Sequence, residues 1–399
     1  MKNILISIIL LLCILNTSAQ QLSFSDSAKV SLITCSPGEE VYEKFGHTAI
    51  RVFDKRNNID VVFNYGIFDF ETSNFYFKFI NGETDYQLGV YDTGNFLASY
   101  AQRNSIVWEQ TLNLTLTERQ KIISLLLLNY EPENRVYRYN FVNDNCATRP
   151  RDKILSSING YTNFEPDSEA KTYRQLIGLY TGTDTWLKFG IDIVFGVDAD
   201  HFASTSQAMF LPENLMNSFQ TAQIITQKGQ TRKLIYDKRI LINKKEIHEK
   251  ASFFSVKPYT ISIILLLIGV FITILDLFRH KHYKFFDSTL LIITGLAGFI
   301  VGYMMLFSIH PFVKLNLNIL WLNPLNLIAG ILLWVRRMRI VLFFYQIFNI
   351  LLLIGGLLAF ALSVQSFNIA CFPIIVLLLI RSTTIFDHLK RKIFKRKAL

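Results

Sequence analysis

Five runs of apolar residues near the C-terminus, 258–278, 288–309, 317–335, 340–364 and 366–386, constrain this chain more than any other feature. Each approaches the ~20 apolar residues that a bilayer's hydrocarbon core demands of a helix. The 366–386 run is the weakest of them, because Arg381 falls inside it. Near a helix end such an arginine can snorkel to the interface. The expectation is an all-α domain of five transmembrane helices over 258–386, followed by a basic tail, 387–399. Composition agrees: 51% of the 399 residues are hydrophobic and only 18% charged, against about 25% charge in an ordinary soluble domain. A wholly soluble protein and a disordered chain are both excluded.

Charge is unevenly placed. From Asp276 onward there are 14 Lys+Arg and 3 acidic residues, leaving 27 basic and 28 acidic residues for the rest. The rest is therefore nearly neutral and lacks the basic face of a nucleic-acid binder. The basic residues cluster after alternate spans: Arg279, Lys281 and Lys284; Arg336, Arg337 and Arg339; then Lys390, Arg391, Lys392, Lys395, Arg396 and Lys397. The positive-inside rule puts these clusters and the C-terminus in the cytoplasm and residues 20–257 outside. The N-terminus agrees independently. Lys2, the apolar run 4–15 and the small residues before Gln20 describe a secretory signal peptide, 1–19, cut after Ala19. Cys13 has no small residues just before it, which argues against a lipoprotein signal.

The exported part reads as α+β. Residues 28–35 form a strand, and 45–54 and 59–68 a hairpin around the turn 55–58. Residues 112–116 are strand-like, and Thr117 with Gln120 suggests a capping box before a helix over 118–129. A short strand follows at 137–143, and a final hairpin at 231–246 leads into the first span. The expected division is a Cys/His core over 20–165 and a remainder over 166–257.

Two cysteines are exported, Cys35 and Cys146. They could form a disulfide in an oxidising compartment. Alternatively Cys146 is a nucleophile. It lies in Asn143-Asp144-Asn145-Cys146-Ala147-Thr148-Arg149-Pro150, where a strand ends and a helix begins. A helix start and nearby arginines both favour thiolate. Pro150 belongs in a first helical turn, which places Cys146 in the turn ahead of the helix. A thiol nucleophile needs a base. Of the three exported histidines, His248 is surrounded by charges, His201 sits among aspartates, and His47 lies on a strand beside Gly46. His47 reads either as a half-buried strand residue or as the base. No CxxC, HExxH, GxGxxG or Walker-type loop is present, so neither a metal nor a nucleotide cofactor is expected.

Several long stretches carry a resemblance: FGHTAIRV (45–52), NYGIFDFETSNF (64–75), EQTLNLT (109–115), NRVYRYNFVNDNCATRPRD (134–152), FGIDIVFGVDAD (189–200) and MFLPENL (209–215). Together they resemble the N-terminal periplasmic domain of Lnb-type lipoprotein N-acyltransferases, and HPFVKLNLNILWLNPLNLI (310–328) resembles their membrane part. The resemblance implies a permuted papain-like fold, as in NlpC-type hydrolases and lecithin:retinol acyltransferase, with Cys146 as nucleophile and His47 as base. It also implies free rather than bonded cysteines. Asn64, on the face of His47 across the hairpin, is the first choice to orient the imidazole, with Tyr65 and Asp69 behind it. Arg51, Asn145, Arg149 and Tyr65 are candidates for substrate contact; Arg51 and Arg149 could meet a lipid phosphate or simply pair with acidic neighbours. The implied reaction moves an acyl chain from a phospholipid, through a Cys146 thioester, to the N-terminal amine of a diacylated lipoprotein at the bacterial inner membrane. The rivals are an NlpC-type periplasmic cysteine hydrolase and a non-enzymatic membrane assembly factor.

Overall fold

The structure, a computed structural model, describes residues 24–68, 71, 73–166, 169–244 and 256–394. The expected signal peptide, Asp69, His248 and the last basic residues, Lys395, Arg396 and Lys397, lie outside them.

The exported domain is built on a seven-stranded antiparallel sheet. Its strands are β1 (Lys29–Cys35), β2 (His47–Asp54), β3 (Ile59–Ile67), β4 (Asp85–Asp92), β5 (Val107–Leu112), β6 (Val136–Arg138) and β10 (Ile235–Ile242). They run in the order β10-β5-β1-β2-β3-β4-β6. A second, three-stranded sheet joins β7 (Tyr161–Asn163), β8 (Gln223–Ile225) and β9 (Thr231–Lys233). The expected final hairpin is thus two strands of different sheets. Leu234 between them is fully buried in the main core and anchors the crossing from one sheet to the other.

Both faces of the large sheet are covered, so its central strands are apolar on both sides. One face carries Leu32, Ile50, Val52, Phe63 and Tyr65. Against it pack α3 (Leu116–Tyr130), α4 (Thr148–Ser157) and α7 (Pro212–Thr221) through Ile122, Leu126, Ile154 and Phe219. The other carries Ile33, Cys35, Ala49 and Val62 against Phe96, Leu97 and Tyr100 of α2 (Thr93–Gln102). The main core draws on both 20–165 and 166–257, because Leu215, Phe219 and Ile224 belong to it. Helix α3 starts earlier than its sequence pattern suggests: the capping box is Thr115 with Glu118, and the strand before it ends at Leu112. Shorter helices complete the layout. Helix α1 (Phe75–Asn81) lies between β3 and β4, and the pair α5 (Tyr173–Thr181) and α6 (Trp186–Val194) faces the membrane part.

Among the described residues four helices are long and apolar enough to cross a membrane: α8 (Pro258–Arg279), α9 (Lys284–Phe307), α11 (Arg339–Ala361, preceded by a short 3-10 turn) and α12 (Cys371–Phe394). The third expected span, 317–335, is not one continuous helix. It opens as a 3-10 turn, Leu317–Leu320, and resumes as α10 (Leu325–Leu332). Pro324 supplies no N–H, and the Asn323 side chain takes up the N–H of Leu325 at 3.1 Å. Eight helical residues rise ~12 Å, well short of the ~30 Å hydrocarbon core.

Arg381 also departs from expectation. It does not snorkel outward but is enclosed, donating to Asp287 at 2.6 Å, Asp276 at 2.7 Å and Thr273 at 2.7 Å. His282 contacts the other oxygen of Asp287 at 2.6 Å.

The exported domain and the helices are locked by polar contacts centred on α6. Asn316 donates to the carbonyls of Ile193 and Val194 at 2.8 and 2.9 Å, and Asn318 to that of Asp192 at 3.0 Å. The Asp192 carboxylate accepts from Lys188, Arg174 and Asn368. At Gly196 the backbone N–H meets the carbonyl of Phe312 at 2.7 Å, and any Cβ would strike the carbonyl oxygen of Lys314. The small residue in the Phe195-Gly196 step is there for close approach of two backbones.

Candidate functional site

The site forms where β1, β2 and β3 end together. His47 is the first residue of β2 and lies directly opposite Cys35, the last residue of β1. Strand alternation sends His47, Ala49 and Arg51 to the α2 face. Asn64 of β3 shares that face, and its Oδ1 lies 2.5 Å from His47 Nε2. An amide oxygen only accepts, so Nε2 carries the proton and Nδ1 keeps its lone pair. The ring of Tyr100 stacks over the imidazole at 6.3 Å and 16°, and the Tyr100 hydroxyl is hydrogen-bonded to the Cys35 thiol.

Cys146 comes from the opposite face, in the turn just ahead of α4, whose first helical residue is Thr148. What lets it reach His47 is a bulge. The pairing of β3 with β4 slips by one residue between Asn64 and Ile67, and Gly66 there has φ +92°. A Cβ on Gly66 would stand 3.4 Å from Cys146 Cβ and 3.8 Å from His47 Cε1. A bulge in a strand re-aims side chains in this way. Gly66→Ala should therefore cost about 1–2 kcal/mol in backbone strain. It should also lower activity about 10²-fold by shifting the thiol by up to ~1 Å. Comparing the activity loss with the change in thermal midpoint checks this; wild-type activity in the alanine variant would refute it.

Asn145 fixes the turn. Its Nδ2 donates to the carbonyls of Phe141 and Phe210 at 2.7 and 2.9 Å. Its Oδ1 accepts from the N–H groups of Ala147 and Thr148 at 2.8 and 2.9 Å. With those two amides occupied, the donors left on the sulfur are the N–H of Cys146 itself and the N–H of Thr48.

Electrostatically the pair is neutral at rest. Burial pushes the Cys146 thiol up to about 11, against the pull of the Thr48 and Cys146 amides. Burial pushes His47 down to about 4, opposed by the Asn64 bond and reinforced by nearby Arg103. His47 is thus neutral throughout the neutral range. Two linked windows follow. Between the ordinary 6.5 and about 4 the unfolded chain binds a proton that folded His47 refuses, so stability falls as pH drops through that range. Between the ordinary 9.0 and about 11 folded Cys146 keeps a proton that the unfolded chain loses, so stability falls as pH rises there. Alkylation of Cys146 by iodoacetamide should be slow at neutral pH and rise about tenfold per pH unit across the neutral range, because the thiolate fraction does; a rate already level there would indicate a thiolate–imidazolium pair instead.

The remaining candidates lie elsewhere or are already engaged. Arg51 is held by Asp60 at 2.7 and 2.6 Å and by Glu109 at 3.0 Å. Arg149 is held by Asp144 at 2.5 and 2.8 Å and lies over the Tyr137 ring at 3.6 Å. Tyr65 points to the other face, fully buried, its hydroxyl on Asn129 at 2.9 Å. Cys35, Cys146 and Cys371 are all free thiols. His201 is exposed, its ring beside the carbonyl of Asp198 at 3.1 Å. Sequence reasoning missed Tyr100 and Arg103. Arg103 stands over the Tyr100 ring at 5.1 Å and pairs with Glu43 at 2.7 Å. Nothing in a ten-residue helical stretch marks either; only the glycine inside the third strand's pattern hinted at the bulge.

Comparison with known families gives two matches. The Lnb N-terminal periplasmic domain matches residues 18–178. The Lnb transmembrane domain matches residues 248–392. No curated protein and no solved structure matches the chain.

Proposed function

Because the chain belongs to the Lnb-type family, carrying both its periplasmic and its transmembrane domain, we propose that it is a lipoprotein N-acyltransferase with a permuted papain-like catalytic domain. The observation that carries the reading is the His47–Asn64 bond beside Cys146, in a domain hydrogen-bonded to membrane-spanning helices. In the first half-reaction Cys146 Sγ attacks an ester carbonyl of a phospholipid while His47 Nδ1 takes the thiol proton. The carbonyl oxygen becomes an oxyanion, and the N–H groups of Cys146 and Thr48, which meet the sulfur at rest, are our candidates to receive it. The C–O bond then breaks, His47 returns its proton to the glycerol oxygen, and a lysophospholipid leaves. In the second half the α-amine of a diacylated lipoprotein attacks the thioester and gives a proton to His47. The C–S bond breaks and Cys146 recovers that proton. Asn64 holds the ring with Nδ1 toward the sulfur. Every proton in this sequence is carried by His47.

Both substrates reside in the bilayer, which fits a catalytic domain fixed to spanning helices. The topology we read has five crossings at the inner membrane. The broken segment 317–335 is the third. Its start is tied to α6 through Asn318, and its end lies beside Lys284, whose Nζ donates to the carbonyl of Leu333 at 3.2 Å. The C-terminus is then cytoplasmic, and a reporter fused after Leu399 should be active only if its enzyme works in the cytoplasm. Activity of a periplasmic reporter there would remove the fifth crossing.

Mass spectrometry of lipoprotein N-termini tests the reaction. Cells with the gene should carry N-acylated termini and cells without it free amines; unchanged termini would end the proposal. Acyl groups released only as free fatty acid by the purified protein would favour the hydrolase.

A further inference from the structure

Helix α1 is placed oddly for a water-soluble surface. Of its seven residues, Tyr76 is 79% exposed, Phe77 57% and Phe79 51%. Burying a phenylalanine side chain is worth about 1.5–3 kcal/mol, so three such rings are not expected to face water. They do not stand alone. The helix is bound to the outer end of α9. Tyr303 donates its hydroxyl proton to Asn81 at 2.9 Å, Ser308 donates to the carbonyl of Ile80 at 2.8 Å, and the Ile309 N–H to that of Asn81 at 2.8 Å. His310 Nε2 lies 2.5 Å from the carbonyl of Phe79, and the Phe77 ring is 6.2 Å from that of Tyr303. On α9 itself Leu306 and Phe307 are 75% and 63% exposed. The apolar surface of α1 therefore continues the lipid-facing surface of a spanning helix, at the depth where aromatic rings favour the membrane interface.

Behind this surface a file of rings leads inward. Phe79 and Phe75 are 6.1 Å apart and near parallel, Phe75 and Phe68 6.2 Å, Phe68 and Tyr86 5.0 Å, and Tyr86 and Tyr139 4.1 Å. Cys146 stands at its inner end: a Cβ on Gly66, two residues before Phe68, would lie 3.4 Å from Cys146 Cβ, and a Cys146 thiolate would oppose ionisation of both Tyr86 and Tyr139.

We propose that α1 dips into the outer leaflet and that the file Phe79, Phe75, Phe68, Tyr86 is the track that seats the acyl chain of the donor phospholipid with its ester at Cys146. The occupant is a lipid chain, because the outer end of the track is continuous with the bilayer-facing surface of α9. The track deepens the acyl-transfer reading and rests on it for its purpose, though lipid occupancy can be measured without turnover.

The test uses the full-length Cys146→Ala protein in vesicles of phosphatidylethanolamine and phosphatidylglycerol containing a phospholipid with a mid-chain diazirine. Irradiation should label peptides containing Phe75, Phe79 and Tyr86; label confined to α8–α12 would overturn the track. The wild-type background supplies the second arm. Phe75→Ala with Phe79→Ala should slow loading of Cys146 from a long-chain donor by about tenfold or more, while loading from a dihexanoyl donor stays at the wild-type rate. Equal losses with both donors, or none with either, would overturn it. If wild-type Cys146 never loads but the peptides are labelled, acyl transfer fails and the lipid track stands.

Discussion

Cys146→Ala should abolish N-acylation, because no other group among the described residues of the site can carry the acyl chain. Cys35 is the other thiol nearby, and it is fully buried and bonded to Tyr100. Cys146→Ser should lose nearly all activity, since the hydroxyl needs a stronger base than an imidazole held down to about 4. His47→Ala should cost ~10²–10⁴-fold, the usual contribution of a positioned base. Supplied with labelled phospholipid and no acceptor, the wild-type protein should hold a hydroxylamine-labile acyl group on Cys146, and a diacylated lipoprotein should discharge it. Wild-type rates in Cys146→Ala would end the covalent mechanism outright. Cys35→Ala is the control: it should fold with a small packing loss and remain active.

Arg381→Leu should be the most destabilising single change in the membrane part. The guanidinium is 1% exposed and satisfies Asp287, which is fully buried, and Asp276. Removing it leaves two carboxylates facing each other across α8 and α9 in an apolar interior. Breaking a buried pair in this way costs about 3–5 kcal/mol, and here one cation serves two anions. The expected readout is loss of a monodisperse peak after detergent extraction, or a sharply lower unfolding temperature. Combining Arg381→Leu with Asp276→Asn and Asp287→Asn should recover much of the loss, since none of the three positions then carries a buried charge. An Arg381→Leu protein as stable as the wild type would show that the ion pairs of Arg381 do not hold the helices together.

How far the sequence could be read depended on whether a feature is local. The hairpin around 55–58 sets its own register, so the alignment of His47 with Asn64 could be worked out from the turn alone. Pro150 likewise placed Cys146 ahead of its helix. Tyr100 could not be reached that way: it is paired with the site only because α2 folds back across the sheet, 53 positions along the chain from His47. For Arg51 and Arg149 the sequence left lipid phosphate and an acidic neighbour as equal partners; the structure pairs them with Asp60 and Asp144, and Glu109 reaches Arg51 only through the order of strands. Arg381 was seen to weaken a span, but its partners are 105 and 94 residues away. Composition over 317–335 promised a helix; the break at Asn323-Pro324 overrode it locally.

Strand β10 has a consequence for how the protein is made. It closes the sheet against β5, although Ile235 and Leu112 are far apart in the chain. The span matched to the periplasmic family domain stops at residue 178, before α7, β8 and β10 have been synthesised. When only that much has been exported, the outer edge of β5 is unpaired and the pocket for Phe219 empty. Such an edge invites pairing with another chain. The unit of polypeptide that is recognisable by kinship is thus shorter than the unit that folds. Expressed alone, 20–178 should aggregate even in detergent, whereas 20–244 should stay monodisperse in detergent with a protected sheet. During biogenesis the scaffold around Cys146 is finished only as the first spanning helix is made, so the protein matures already attached to its membrane.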